Sequence, residues 1–216
     1  MSSTSTTQNE GQSTRDSAGG EKQIAIFALD GFDSLQVSGI IAASASIGMS
    51  PKVISTRKGS AYPRGVEKGN ENASGVINAD FDLESASLAN FDALFIPDGD
   101  ENFVEQLESE RGLHWIRETA RQYKTIGAVG VSVPVIAHKA LPGDTDLKAD
   151  LSAAFSSKKG FVLAQNLASD ETSTWGKITG VKDLGGFGYA FFDAISKNPH
   201  QGELSFSFLS LFLNER

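Results

Sequence analysis

One serine in the sequence stands in a pattern that resembles a nucleophile elbow. The run GVSVP (130–134) matches four of the five positions of G-x-S-x-G, a strand-to-helix turn that exposes a nucleophilic serine. An aspartate, Asp183 or Asp193, and then His200 follow in the chain order of a hydrolase triad. The fifth position is a proline, which is bulkier than the glycine of the pattern and disfavours helical geometry at the preceding residue. Hydrolysis through Ser132 is therefore one hypothesis for the function.

Two groups of carboxylates follow predicted strands. Asp30 and Asp33 come after the first strand, and Asp98, Asp100 and Glu101 come after a later one. Carboxylate oxygens are ligands that Mg²⁺ and Ca²⁺ accept. The alternatives are that Asp33 or Ser34 caps the helix that follows, and that the later group forms a solvated turn that places negative charge at a helix N-terminus. Because Asp and Ser are preferred N-caps and no calcium loop of fixed spacing is present, we predict a cap after the first strand and a solvated turn after the later one.

The sequence predicts neither a metal nor a cofactor site. The three histidines do not have the spacing of zinc ligands, and no tyrosine stands in a context typical of an axial haem ligand. The run LGGFGYAFF lacks the third glycine of a dinucleotide fingerprint, and no phosphate-binding loop occurs. The histidines are His114, His138 and His200, and the tyrosines are Tyr62, Tyr123 and Tyr189.

The elements that must position these residues alternate between strand and helix. Near-continuous apolar runs predict strands that are covered on both faces, as in a parallel sheet, at 23–29, 51–56, 92–100 and 125–130. Small-residue or amphipathic stretches predict helices at 35–47 and 102–123. This alternation predicts an α/β fold, with a doubly wound, mainly parallel sheet and helices on both of its faces.

The remaining segments are less regular. They predict a short strand at 75–83, a helical link at 85–88, a helix at 147–157, a strand at 160–166 and a helix at 185–197. Ligands of an open sheet bind beyond the carboxyl ends of its strands. A site is therefore expected at the turns DGFDS, PDGDEN and GAVGVS.

Composition limits the classes of function. The 216 residues are 39% hydrophobic and 21% charged, which predicts one soluble globular domain over 22–216. Residues 1–21 are rich in Ser, Thr and Gly, which predicts a disordered tail or linker. The net charge of −8 disfavours nucleic acid and anionic membranes as partners. The chain contains no Cys, which excludes a cysteine nucleophile. No compartment is predicted.

Longer stretches resemble a known family. The segments IAIFALDGFD, FDALFIPDGDENF and HWIRE resemble the ThiJ/PfpI-type, class I glutamine amidotransferase-like superfamily. More narrowly, they resemble the C-terminal flavodoxin-like domain of large-subunit catalases, particularly fungal ones. The resemblance extends over residues 22–216 and is strongest in the first 115 of them. It implies a flavodoxin-like fold.

The resemblance also implies where catalytic groups would lie. Active members of the superfamily place an acid after the first strand, a cysteine at the elbow and, commonly, a histidine beside that cysteine. These positions correspond to Gln36, Gly130 and Val131. Gln36 cannot ionise, Gly130 has no side chain and Val131 cannot transfer a proton. The protease, deglycase and glyoxalase-like activities of the superfamily are therefore not expected here.

The leading prediction is a non-catalytic accessory domain that stabilises, or helps assemble, a large-subunit catalase. The resemblance implies that haem and peroxide chemistry belong to a separate catalase core domain, and that this chain holds no cofactor. The core domain or neighbouring subunits are the expected partners. A chaperone-like action on unfolded clients is a further expectation if the apolar runs SFSFLSLFL and GYAFF form a contact surface. The favoured alternative is that most of their phenylalanines fill the core. The alternatives are the Ser132 hydrolase and small-molecule binding in a vestigial cleft.

Overall fold

A seven-stranded sheet forms the centre of the computed structural model, which describes residues 21–144, 147–148, 155–158, 160–165, 167 and 185–197. The strand order is β5-β2-β1-β6-β7-β9-β8. All neighbouring pairs are parallel except β8 and β9. The predicted α/β fold with a mainly parallel sheet is confirmed. The strands are β1 (Gln23–Phe27), β2 (Ser50–Ser55), β3 (Gly59–Ala61), β4 (Ile77–Ala79), β5 (Phe81–Asp82), β6 (Ala93–Ile96), β7 (Thr125–Val129), β8 (Phe155–Lys158) and β9 (Phe161–Ala164).

The helices connect these strands, and the first three begin at side-chain caps. They are α1 (Ser34–Ser46), α2 (Glu101–Leu107), α3 (Glu110–Arg121), α4 (Ser132–Val135), which continues as a π-helical turn (Ile136–Ala140), and α5 (Gly185–Lys197). The single helical region predicted over 102–123 is divided in two, because Ser109 caps the second helix by accepting from the Gly112 N–H at 3.2 Å. The helical link predicted at 85–88 is a 3-10 turn at Leu88–Asn90.

Two predictions for strands and helices need correction. The helix predicted over 147–157 is wrong at its carboxyl end, where Phe155 begins β8. There the chain pairs antiparallel with β9 across a tight turn at Gly160, whose φ is +83°. The tertiary pairing prevails over the local helical pattern. The strand β3 was not predicted, and it pairs antiparallel with β4 in a separate two-stranded sheet.

The central strands are buried on both sides, as their apolar runs predicted. Every residue of β6 and β7 is buried. Many of the phenylalanines lie in this core: Phe27, Phe32, Phe91, Phe95, Phe103, Phe187, Phe191 and Phe192 are buried. The GYAFF run is therefore core at Phe191 and Phe192, as the interpretation that its phenylalanines fill the core predicted. SFSFLSLFL lies outside the described residues, as do residues 1–20 of the tail predicted at 1–21.

Within the described ranges, no helix has both the length and the apolar character needed to cross a bilayer.

Candidate functional site

The turns after β1 and β6 are joined at the carboxyl edge of the sheet. Phe32 and Gly99 form an isolated antiparallel bridge between them. The Asp33 N–H donates to the Asp98 carbonyl oxygen at 2.9 Å, and the Asp100 N–H donates to the Gly31 carbonyl oxygen at 2.9 Å. These backbone bonds hold two of the three predicted turns in one fixed arrangement.

The elbow after β7 completes this edge. Gly130 has a φ of +59°, in the left-handed region that favours glycine. The next residue, Val131, donates its N–H to Asp98 Oδ1 at 2.9 Å. An ideal Cβ placed on Gly130 would lie 2.2 Å from that same oxygen. The carboxylate of Asp98 thus occupies the space into which a nucleophile at position 130 would project.

Gln36 lies beside the same aspartate. Its Oε1 accepts the Asp98 backbone N–H at 2.8 Å. At the position to which the resemblance assigns an acid, this chain uses an amide oxygen to hold the Asp98 backbone. Gln36, Gly130 and Val131 are thus brought together around Asp98, which the sequence predicts to lie in a solvated turn.

Arg64 provides the counter-charge for Asp98. Its guanidinium donates to Asp98 Oδ2 at 3.1 Å, and the two side chains are 46% and 25% exposed, respectively. Arg64 comes from the segment between β3 and β4, whose role in the site was not predicted. The only signal in the sequence is the number of cations in RKGSAYPRGVEK, which gives no indication of their partners.

Ser132 is not available as a nucleophile in this arrangement. The residue is fully buried, and its Oγ donates to the Pro97 carbonyl oxygen at 2.5 Å. The described histidines, His114 and His138, are both exposed. Asp193 accepts from Lys197 at 2.7 Å. This geometry contradicts Ser132 as the nucleophile of a hydrolase; Asp183 and His200 lie outside the described residues.

Asp30 forms the second polar centre of this edge. Its side chain is only 2% exposed and forms ion pairs with Arg57 at 2.9 Å and Lys68 at 3.1 Å. It also accepts the Tyr62 N–H at 3.0 Å. Burial acts to raise the pKa of this carboxyl, but the hydrogen bonds from Arg57, Tyr62 and Lys68 outweigh burial and hold the pKa below its ordinary value. Asp30 is therefore a structural anion at neutral pH.

Two of the other carboxylates cap helices, as predicted for Asp33, while Glu101 lies in the first turn of α2. Asp33 caps α1 by accepting from the Leu35 and Gln36 N–H groups at 3.1 Å, and Asp100 caps α2 by accepting from Phe103 at 3.1 Å. Each of the two capping carboxylates has its own protein donor. Among the described residues, no group of three or more His, Asp or Glu side chains is arranged to hold a metal ion.

A small cleft of about 300 Å³ opens beside Asp30. Its described lining comes from the turns after β1 and β6 and from the segment between β3 and β4: Asp30, Gly31, Tyr62, Lys68, Asp100 and Asn102 are among its residues. Within this lining, Lys68 forms an ion pair with Asp30 and the Asp100 carboxylate accepts from the Phe103 N–H. The cleft thus differs in position from the one expected beneath Gly130.

The sequence is similar to fungal catalases. Over 183 residues the chain is 30% identical to Catalase A of Emericella nidulans, and the match covers 82% of this chain and 23% of the catalase. It is 29% identical over 179 residues to Catalase-1 of Neurospora crassa, with coverage of 82% and 22%. The chain therefore spans about a quarter of the length of the catalases that it matches. No family model matches the chain.

The fold is similar to that of DJ-1 and ThiJ/PfpI proteins. Schizosaccharomyces pombe DJ-1 superposes with a TM-score of 0.56 at 14% identity, covering 82% of this chain and 93% of that one. A ThiJ/PfpI domain protein of Brachyspira murdochii gives 0.54 at 16% identity, with coverage of 75% and 97%. The predicted resemblance to the flavodoxin-like, ThiJ/PfpI-type domain of large-subunit catalases is confirmed.

Proposed function

We propose that the chain is a non-catalytic accessory domain of a large-subunit catalase, which stabilises the parent enzyme or helps it assemble. The observation that carries this proposal is the elbow. At the position of the superfamily's nucleophile there is a glycine, and the Asp98 carboxylate lies where the reactive side chain would be. The similarity of the chain to fungal catalases supports a role as part of such an enzyme. Haem and peroxide chemistry then belong to the catalase core, and this chain needs no cofactor.

The binding partner in this proposal is the catalase core or a neighbouring subunit. The test uses a large-subunit fungal catalase from which the matching region has been deleted. We expect the added chain to co-sediment with this catalase and to lengthen the half-life of its peroxide-decomposing activity during heating. An equal concentration of an unrelated acidic protein provides the control for non-specific protection. An unchanged half-life without co-sedimentation would contradict the assembly role.

A chaperone-like action is the finer part of the proposal. Its support is the apolar segment 205–213 together with a net charge of −8, since an acidic surface keeps complexes with apolar clients soluble. We expect a several-fold molar excess of the chain to suppress the thermal aggregation of an unrelated enzyme, as measured by light scattering. A matched chain lacking residues 204–216 should suppress it much less. Equal scattering with and without the full chain would rule out this action.

A further inference from the structure

Asp98 connects all the parts of the carboxyl edge that lie near the elbow. Its N–H donates to Gln36, and its carbonyl oxygen accepts from Asp33. Its two carboxylate oxygens accept from Val131 and Arg64. Each polar group of this one residue therefore has a different partner, and these partners come from α1, from the elbow and from the segment between β3 and β4.

This arrangement leaves the side chain little freedom to move away from Gly130. A Cβ on Gly130 would lie 2.4 Å from the Asp98 Cγ and 2.9 Å from its Cβ, as well as 2.2 Å from Oδ1. Rotation of the carboxylate would not relieve the contact with Cβ, whose position is set by the backbone. That backbone is held by Gln36 at 2.8 Å and by Asp33 at 2.9 Å.

We propose that Asp98 is a built-in plug of the elbow: its carboxylate fills the volume of the missing nucleophile side chain and closes the elbow to substrates. The plug makes glycine a requirement at position 130, because any Cβ there would overlap it. It also favours an amide over a carboxylate at Gln36, because a glutamate there would place a second negative charge close to the plug. This inference rests on the same Asp98 geometry as the proposed non-catalytic role, but it does not depend on any role in catalase assembly, so the two can fail separately.

A double-mutant cycle between Gly130→Ala and Asp98→Ala tests the plug. Each single variant should raise the equilibrium constant for unfolding, because the first introduces an overlap and the second removes the bonds that Asp98 makes. In the double variant, the equilibrium constant for unfolding should rise by about tenfold less than the product of the two single effects. A coupling of this size is typical for residues in contact. Urea unfolding measures these constants. If the double variant raises the equilibrium constant by the full product of the two single effects, the proposal is overturned.

Gly127→Ala provides the matched control for this cycle. A Cβ there would meet the Phe191 ring, with 2.6 Å to Cδ2, and its three nearest atoms belong to Phe191 and Phe187, not to Asp98. Its effect should therefore multiply with that of Asp98→Ala without coupling. An equal coupling for this pair would mean that Asp98 acts on the whole strand instead of on the elbow, and would likewise overturn the proposal.

Two readouts keep the test decisive if Gly130→Ala does not fold. The chain has no cysteine, so in an Asp98→Ala/Gly130→Cys variant the introduced thiol is the sole one. Once the plug is removed, it should react readily with iodoacetamide. In Asp98→Ala alone, the Val131 amide should exchange its hydrogen at least about tenfold faster, because its acceptor is gone. A Val131 amide as protected as in the wild type, or an unreactive thiol in a folded double variant, would contradict the plug.

Discussion

Phe191→Ala is expected to lower the free energy of unfolding by about 3–5 kcal/mol, the range found when a large core aromatic is truncated. Phe191 is fully buried, and its ring lies 6.0 Å from that of Phe95 between ring centroids and stacks on Phe187 at the same distance. Gly127 leaves room for it in the central strand β7. Truncation would open a cavity between α5 and the sheet. Urea unfolding followed by circular dichroism measures the loss.

Tyr189→Ala on the same helix is the control for a general loss of helical stability. Tyr189 is 39% exposed, so its truncation should cost no more than about 1 kcal/mol. If Phe191→Ala costs as little as Tyr189→Ala, then α5 is not packed on the sheet as described. The packing of the GYAFF run as core would then be wrong.

Asp30→Ala is expected to cost about 2–3 kcal/mol of unfolding free energy, because it removes hydrogen bonds to a charged group and leaves the Tyr62 N–H without its acceptor. The cost should not be larger, since the Arg57 and Lys68 side chains are 44% and 61% exposed and can regain water. Asp30→Asn keeps an oxygen that can accept from Tyr62, and should therefore cost less. Equal costs for the two variants would show that the Tyr62 bond contributes nothing.

The contribution of Asp30 to the free energy of unfolding should also depend on pH. Its folded pKa lies below its ordinary value because the bonds from Arg57, Tyr62 and Lys68 outweigh the opposing effect of burial. As the pH falls below the unfolded pKa of about 3.9, the unfolded chain binds the proton first, and stability is lost down to the folded pKa. The difference in unfolding free energy between the wild type and Asp30→Asn should be constant above about pH 5 and shrink in that acidic window. A difference that already shrinks near neutral pH would contradict a folded pKa of Asp30 below its ordinary value.

The chemistry of the elbow could be predicted in part from the sequence. The turn at Gly130 and the lack of a reactive group at Gln36, Gly130 and Val131 follow from residue types, which are independent of the fold. The burial of Ser132 could not be predicted, because its acceptor is the carbonyl of Pro97, on another strand end. A pattern of five residues does not contain that partner.

For the charged residues too, the sequence shows partners that are near in the chain but not those that are distant. Asp33 could be recognised as a cap because a cap bonds to backbone within three residues of itself, and the donor to Asp100 is equally near in the chain. Asp30 and Asp98 could not be assigned, because their cations come from a segment 27 and 34 positions away. Charge alone does not select among several arginines and lysines at such separations.

By itself, the sequence determined the alternation of buried strands and helices, the cap at Asp33 and the lack of an ionisable or nucleophilic side chain at Gln36, Gly130 and Val131. These are local properties, set by hydrophobic periodicity and by what each side chain can do. Only the tertiary structure decided that the elbow is filled and not empty. Parallel pairing of β1, β6 and β7 brings three turns to one edge of the sheet, and the close packing there leaves the Asp98 carboxylate in the space that Gly130 leaves free.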